Sequence, residues 1–125
     1  MADSICHFEI IGNDPEKLRR YYAELFGWGY DVGDAATTAV SAAGEYGFLD
    51  AATTDGGTNG GVAGGPGYPP RAIFYIGVDD VEAALARAEA LGGTRQMGPE
   101  GNPGVIVVGH FTDPEGNLVG VAGPK

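Results

Sequence analysis

Two histidines and one strand carboxylate are the residues of this chain best suited to chemistry. His7 and Glu9 stand two apart in CHFEIIG, so a strand would point both side chains to one face. An imidazole beside a carboxylate can act as a general base, hold a ligand by hydrogen bonds, or simply line a wall. Their side chains could meet diagonally or through a water. The second histidine, His110, lies in VIVVGHFT. Alternation alone does not fix its face. If Phe111 packs under a helix, His110 takes the side away from it, as His7 does, and an edge or surface position is the simpler expectation. Cys6 adjoins His7 but points the other way along a strand, so a Cys-His nucleophilic pair is not expected, and Cys6 reads as a small buried apolar residue. No serine sits in a G-x-S-x-G turn, and no glycine-rich phosphate loop is present. Asp79 and Asp80 read as a helix cap, and Glu115 as part of a solvated turn.

The elements that position these residues come in two copies. HFEIIGNDPEKLRRYYAELFG (7–27) and IFYIGVDDVEAALARAEALGG (73–93) align without a gap, and six of the 21 positions are identical. In each copy a short strand runs into an aspartate-capped helix that ends at glycine. Leu18, Tyr21, Tyr22, Leu25 and Phe26 form the apolar stripe of the first helix. Val81, Ala84, Leu85, Ala88 and Leu91 form that of the second. Phe8 and Ile10, with Phe74, Ile76 and Val78, take the helix-facing side of the strands. His7 and Glu9, with Ile73, Tyr75 and Gly77, take the other side.

Three strands are expected after each helix. In the first copy they lie near 28–32, at 40–43 or 46–50, and at 61–63. In the second they lie near 94–97, 105–111 and 118–122, with Asp113–Asn117 as a tight turn. The glycine-rich segment 56–67 reads as a turn, a short strand and a linker, or as a lid over a site. Each unit is thus β-α-β-β-β, with module one at about 5–65 and module two at about 71–123.

The chain has 125 residues and a net charge of −10, so nucleic acid and anionic membranes are not expected partners. One cysteine, no long apolar run and no basic-then-apolar N-terminus suggest a cytoplasmic protein.

A duplicated βαβββ unit containing HFEI, DPEKLRRYYAELFGW, VDDVEAALARAEALGG and FTDPEGN resembles the vicinal oxygen chelate, or glyoxalase/bleomycin-resistance/dioxygenase, superfamily. The resemblance implies an α+β fold in which two βαβββ modules of one domain, 1–125, form an open-barrel cleft. It implies a homodimer and a small-molecule ligand. It also implies a divalent metal held by the first and fourth strands of each module. His7 fills one of those four slots. Ile73 holds its counterpart, Gly120 holds the usual glutamate position after Gly116-Asn117, and the remaining slot falls near Gly61. Three slots lack a donor, so no metal ligand set and no cofactor are assigned.

The expected function is binding of a small organic molecule, as in bleomycin-resistance proteins, through His7, Glu9, Trp28, Phe48, Tyr75 and His110, with Tyr46 among the wall aromatics. A cationic ligand would suit the negative field. The alternative is a lyase, isomerase or dioxygenase with a nonstandard metal site, in which His7 and Glu9 are the catalytic candidates.

Overall fold

The computed structural model describes residues 2–125. The chain divides into two compact units, residues 7–72 and residues 73–125 with the N-terminal residues through Cys6.

The first module runs β1 (Ile5–Gly12), α1 (Pro15–Phe26), β2 (Asp31–Gly33), β3 (Tyr46–Leu49) and β4 (Gly60–Gly64). Its strands lie in the order β2-β3-β4-β1, with β1 parallel to β4 and the other pairs antiparallel. The second module runs β5 (Arg71–Gly77), α2 (Val81–Ala90), β6 (Thr94–Asn102), β7 (Ile106–Thr112) and β8 (Leu118–Gly123). Its strand order, β6-β7-β8-β5, and its single parallel pair repeat those of the first. The architecture is α+β with two βαβββ modules, as the duplication predicts. No helix among the described residues is long and apolar enough to cross a membrane.

The registers of the two modules coincide. Glu9 is opposite Gly61 across the parallel pair of module one, and Tyr75 is opposite Gly120 in module two. One strand further, Phe48 pairs with Gly61 and His110 with Gly120.

Both helices start where the sequence caps them. Asp14 accepts from the Lys17 N–H at 3.2 Å with Pro15 in the first turn, and Asp80 accepts from the Ala83 N–H at 3.0 Å. Gly27 closes α1 in the left-handed conformation, φ 76°.

The helix stripes differ from expectation. Val81 and Leu85 are buried and pack with Val107 and Val121, flanked by Ile76, Val78, Ala84 and Phe111, but Leu91 is exposed. On α1 only Pro15 is buried, and Tyr21, Leu25 and Phe26 are each more than half exposed. The reason is the residue that meets the sheet. A side chain at Gly109 would strike Leu85, and one at Gly47 would strike Arg19, 66 positions before Leu85. The helix turns Arg19 toward the sheet beside Leu18, which meets Gly12, so the Tyr21, Leu25 and Phe26 side of the stripe is left exposed.

Two local expectations also change. Of the alternatives 40–43 and 46–50, the strand is Tyr46–Leu49, and residues 40–43 are a loop. Val40 is buried there, and the Ser41 hydroxyl donates to the Gly64 carbonyl at 3.2 Å and accepts from the Gly64 N–H at 3.1 Å. The strand expected at 28–32 begins only at Asp31, because Trp28 packs with Phe8, Tyr22 and Phe26. The strand expected at 61–63 is present as Gly60–Gly64, buried between β3 and β1. Glycine is needed there because the Phe8 ring lies over Gly60 and the Tyr46 ring over Gly61.

Candidate functional site

Module one assembles a polar group on the sheet face opposite Phe8. His7 and Glu9 come from β1, and Tyr46 and Phe48, also two apart, come from β3. The His7 ring is nearly parallel to both Tyr46 and Phe48, at interplanar angles of 12° and 11° and centroid distances of 6.4 Å. Its Nε2 is 2.6 Å from the Tyr46 hydroxyl, which donates to Glu9 Oε2 at 2.8 Å. With Tyr46 donating to Glu9, His7 Nε2 is placed to donate to the phenol oxygen, which corresponds to the neutral tautomer with the ring lone pair on Nδ1. Burial lowers the His7 pKa from 6.5 to about 4, so the ring is neutral at physiological pH. Glu9 is itself buried, at 5% exposure, and the Tyr46 hydrogen bond serves its carboxylate in place of water.

Module two carries a simpler pair. The Tyr75 hydroxyl lies 2.6 Å from His110 Nε2, and both side chains are almost fully buried, at 1% and 2% exposure. An edge or surface position for His110 is thus overturned. Gly109 and Phe111 face α2, which turns His110 to the other side of β7. Tyr75 satisfies its ring there.

The remaining sequence candidates lie elsewhere. Trp28 sits with Phe8, Tyr22 and Phe26, and the structure does not bring it to His7 and Glu9. Cys6 is exposed rather than buried, and desolvation raises its thiol pKa, which disfavours the thiolate. Asp80 caps α2, and Asp113 orders its turn through Glu115 and Asn117. Tyr46 is the residue that sequence reasoning undervalued. Its two-residue spacing from Phe48 matches that of His7 and Glu9 and was the available signal.

The four slots implied for a divalent metal can be compared with this geometry. Matching registers make Gly61 the counterpart of Gly120. A Cβ at Gly61 would lie 2.1 Å from the Tyr46 ring and hydroxyl, and one at Gly120 would lie 2.5 Å from the Tyr75 ring. Tyrosine rings therefore occupy the space a carboxylate side chain would need. Ile73 offers no donor atom, and His7 Nε2 is engaged by Tyr46. Among the described residues no group of three or more His, Cys, Asp or Glu side chains could hold a metal ion. The residues present do not fit the ion.

Residues 4–121 match the family model described as Glyoxalase/Bleomycin resistance protein/Dioxygenase superfamily. A protein named "Putative glyoxylase CFP32" from Mycobacterium bovis, and one of the same name from Mycobacterium tuberculosis, are each 33% identical over 113 residues. That match covers 86% of this chain, and the chain spans about 41% of the length of those relatives. Among solved structures, a methylmalonyl-CoA epimerase in complex with methylmalonyl-CoA and NH4+ superposes with a TM-score of 0.69 at 15% identity, covering 98% of this chain and 95% of that one. A hypothetical protein from Bacillus halodurans gives 0.68 at 12% identity, covering 100% and 96%. At these identities the structural likeness speaks for the fold alone. Together with the family match, it places the duplicated βαβββ chain in a known group: it belongs to the glyoxalase/bleomycin resistance protein/dioxygenase superfamily.

Proposed function

We propose that this chain binds a small, planar or partly apolar organic molecule without the superfamily's divalent metal. The observation that carries the reading is the pair of tyrosine rings standing across Gly61 and Gly120. In module one the binding group is His7, Glu9, Tyr46 and Phe48. It combines a flat aromatic surface with a neutral imidazole and a buried carboxylate. Tyr75 and His110 form the polar pair of module two. A cationic ligand gains most from the net charge of −10. The reading includes a cytoplasmic homodimer of one-domain chains, which light scattering would check.

The decisive test is calorimetric. Chelator-treated protein is titrated with nickel, zinc, manganese or iron(II), and its melting temperature is followed beside that of His7→Ala. The expected result is no stabilisation by any of the four. A shift of several degrees that disappears in His7→Ala would establish the metal-dependent lyase, isomerase or dioxygenase instead. A parallel screen of planar organic cations should yield stabilising ligands that are recovered unchanged and lost in Tyr46→Ala. Conversion of a bound compound would sink the binder reading.

A further inference from the structure

We infer that two copies of this chain pair through the outward face of α1, antiparallel about a two-fold axis. The inference rests on the homodimer included in the function proposed above, and it names the surface that joins the copies.

That face is apolar where an outward helix surface is usually charged. Tyr21 and Leu25 stand one turn apart on α1, at 58% and 55% exposure, and Phe26 follows at 57%. Arg19 and Leu18 are the residues that meet the sheet, at Gly47 and Gly12, so these three stay uncovered. They present roughly 300 Å², the scale at which the largest apolar patch of an ordinary monomer is often functional. The second helix differs. Val81 and Leu85 of α2 are buried, and its other apolar residues are alanines.

Charge selects a second copy as the occupant and sets its direction. A chain of net charge −10 repels its own copy over most of its surface. Along α1 the balance reverses, with Lys17, Arg19 and Arg20 against Glu16 and Glu24. Two acidic chains therefore meet there with least repulsion. Lys17 and Arg20 are exposed in the first part of the helix, and Glu24 is exposed in the last. An antiparallel copy sets the basic part of each helix against the acidic part of the other. With the axis between Arg20 and Tyr21, Lys17 lies opposite the partner's Glu24, and symmetry repeats the pair. A parallel copy would set Lys17 against the partner's Lys17.

The relief of the surface fits the same direction. A cavity of about 510 Å³ opens beside the first half of α1, walled by Ile10, Leu18, Tyr21 and Pro70. Leu25 and Phe26 are exposed on the second half. The two-fold lays the projecting half of each helix over the hollow half of the other, so one patch serves as knob and as hole. Stable interfaces bury about 800 Å² per partner, and the three apolar residues supply less than half of that. The dimer is therefore reversible, with a Kd on the order of 10 μM.

Sedimentation equilibrium over a wide range of protein concentration tests the interface, with melting curves to confirm that each variant folds. The expected result is a reversible monomer–dimer equilibrium. Leu25→Glu, at an exposed position, should weaken it at least tenfold. Glu24→Lys and Lys17→Glu should each weaken it about tenfold by opposing like charges. The double variant carrying Lys17→Glu and Glu24→Lys should regain the parent affinity, because the exchange re-forms both pairs. A dimer indifferent to Leu25→Glu and Glu24→Lys would overturn this interface and leave the homodimer standing. A double variant as weak as the single ones would overturn the antiparallel pairing. A chain that stays monomeric at every concentration would overturn the interface and the homodimer together.

Discussion

Modules one and two share strand order, register and helix caps, yet they pack helix on sheet by different chemistry. In module two Leu85 enters the space over Gly109, and an apolar cluster forms around it. In module one the same place is taken by Arg19. Its aliphatic stem crosses Gly47 and its guanidinium donates to the Glu45 carbonyl at 2.7 Å, with a 3.6 Å ion pair to the Glu45 carboxylate. A hydrophobic seat holds one helix and a polar clasp holds the other. The modules also fill equivalent glycine gaps from different strands. Tyr46 of β3 covers Gly61, whereas Tyr75 of β5 covers Gly120. A shared backbone thus fixes where a void must be filled, and leaves open which strand fills it.

The largest expected effect tests the helix seats. Leu85→Ala should cost about 3–4 kcal/mol in urea unfolding, because it empties a fully buried site, and Arg19→Ala only about 1–2 kcal/mol. Equal losses would erase the distinction between the modules.

Gly61→Ala and Gly120→Ala should each cost about 2–3 kcal/mol, since the added methyl displaces a buried, hydrogen-bonded tyrosine. The two are told apart by NMR. The first should alter the His7 titration, and the second the His110 ring resonances. A silent Gly61→Ala would mean that Tyr46 does not depend on the gap.

Acid separates the histidine of module one from its surroundings. The His7 pKa is near 4 in the folded chain and about 6.5 when unfolded, so the unfolded state takes up the proton first. Its contribution is complete above pH 6.5 and is lost as pH falls from about 6.5 to about 4. The loss is on the order of 3 kcal/mol. His7→Gln should flatten that part of the stability profile, and an unchanged slope would contradict the burial of the ring.

The smallest effect sharpens the first. Arg19→Leu should leave stability within about 1 kcal/mol of the parent, because it exchanges a polar clasp for the seat that module two already uses. A large loss would show that the Glu45 contacts, rather than the volume of the side chain, hold α1.

Much of this was legible in the sequence, for reasons that particular residues show. The caps at Asp14 and Asp80 and the stop at Gly27 depend on local backbone chemistry, so they appeared where expected. The duplication gave the module topology. The alignment also set Arg19 against Leu85, but the helical stripe of Leu18, Tyr21, Tyr22, Leu25 and Phe26 was the stronger pattern, and its Tyr21, Leu25 and Phe26 side lies off the face that meets the sheet. Periodicity reports which residues share a side of a helix, not whether that side meets the sheet. His7 and Glu9 were legible as a pair because alternation is local. Their link through Tyr46 was not, since it depends on β3 coming to lie beside β4 in a given register. His110 was ambiguous for the same reason. Its face is decided by Gly109 meeting Leu85, a contact between distant segments.

The parallel pairing of first strand with last has a consequence for how the chain is made. Glu9 has no strand partner on the parallel side until Gly61 has been synthesised, and Tyr75 waits in the same way for Gly120. Each module closes its sheet by its most distant contact, which carries the largest loop-closure cost and slows folding. A nascent chain that stops before Gly60 would hold β1, with Phe8, Ile10 and Ile11, as an open edge exposed to other chains. Translation past Gly64 is therefore the step at which the first module can leave the ribosome folded rather than sticky.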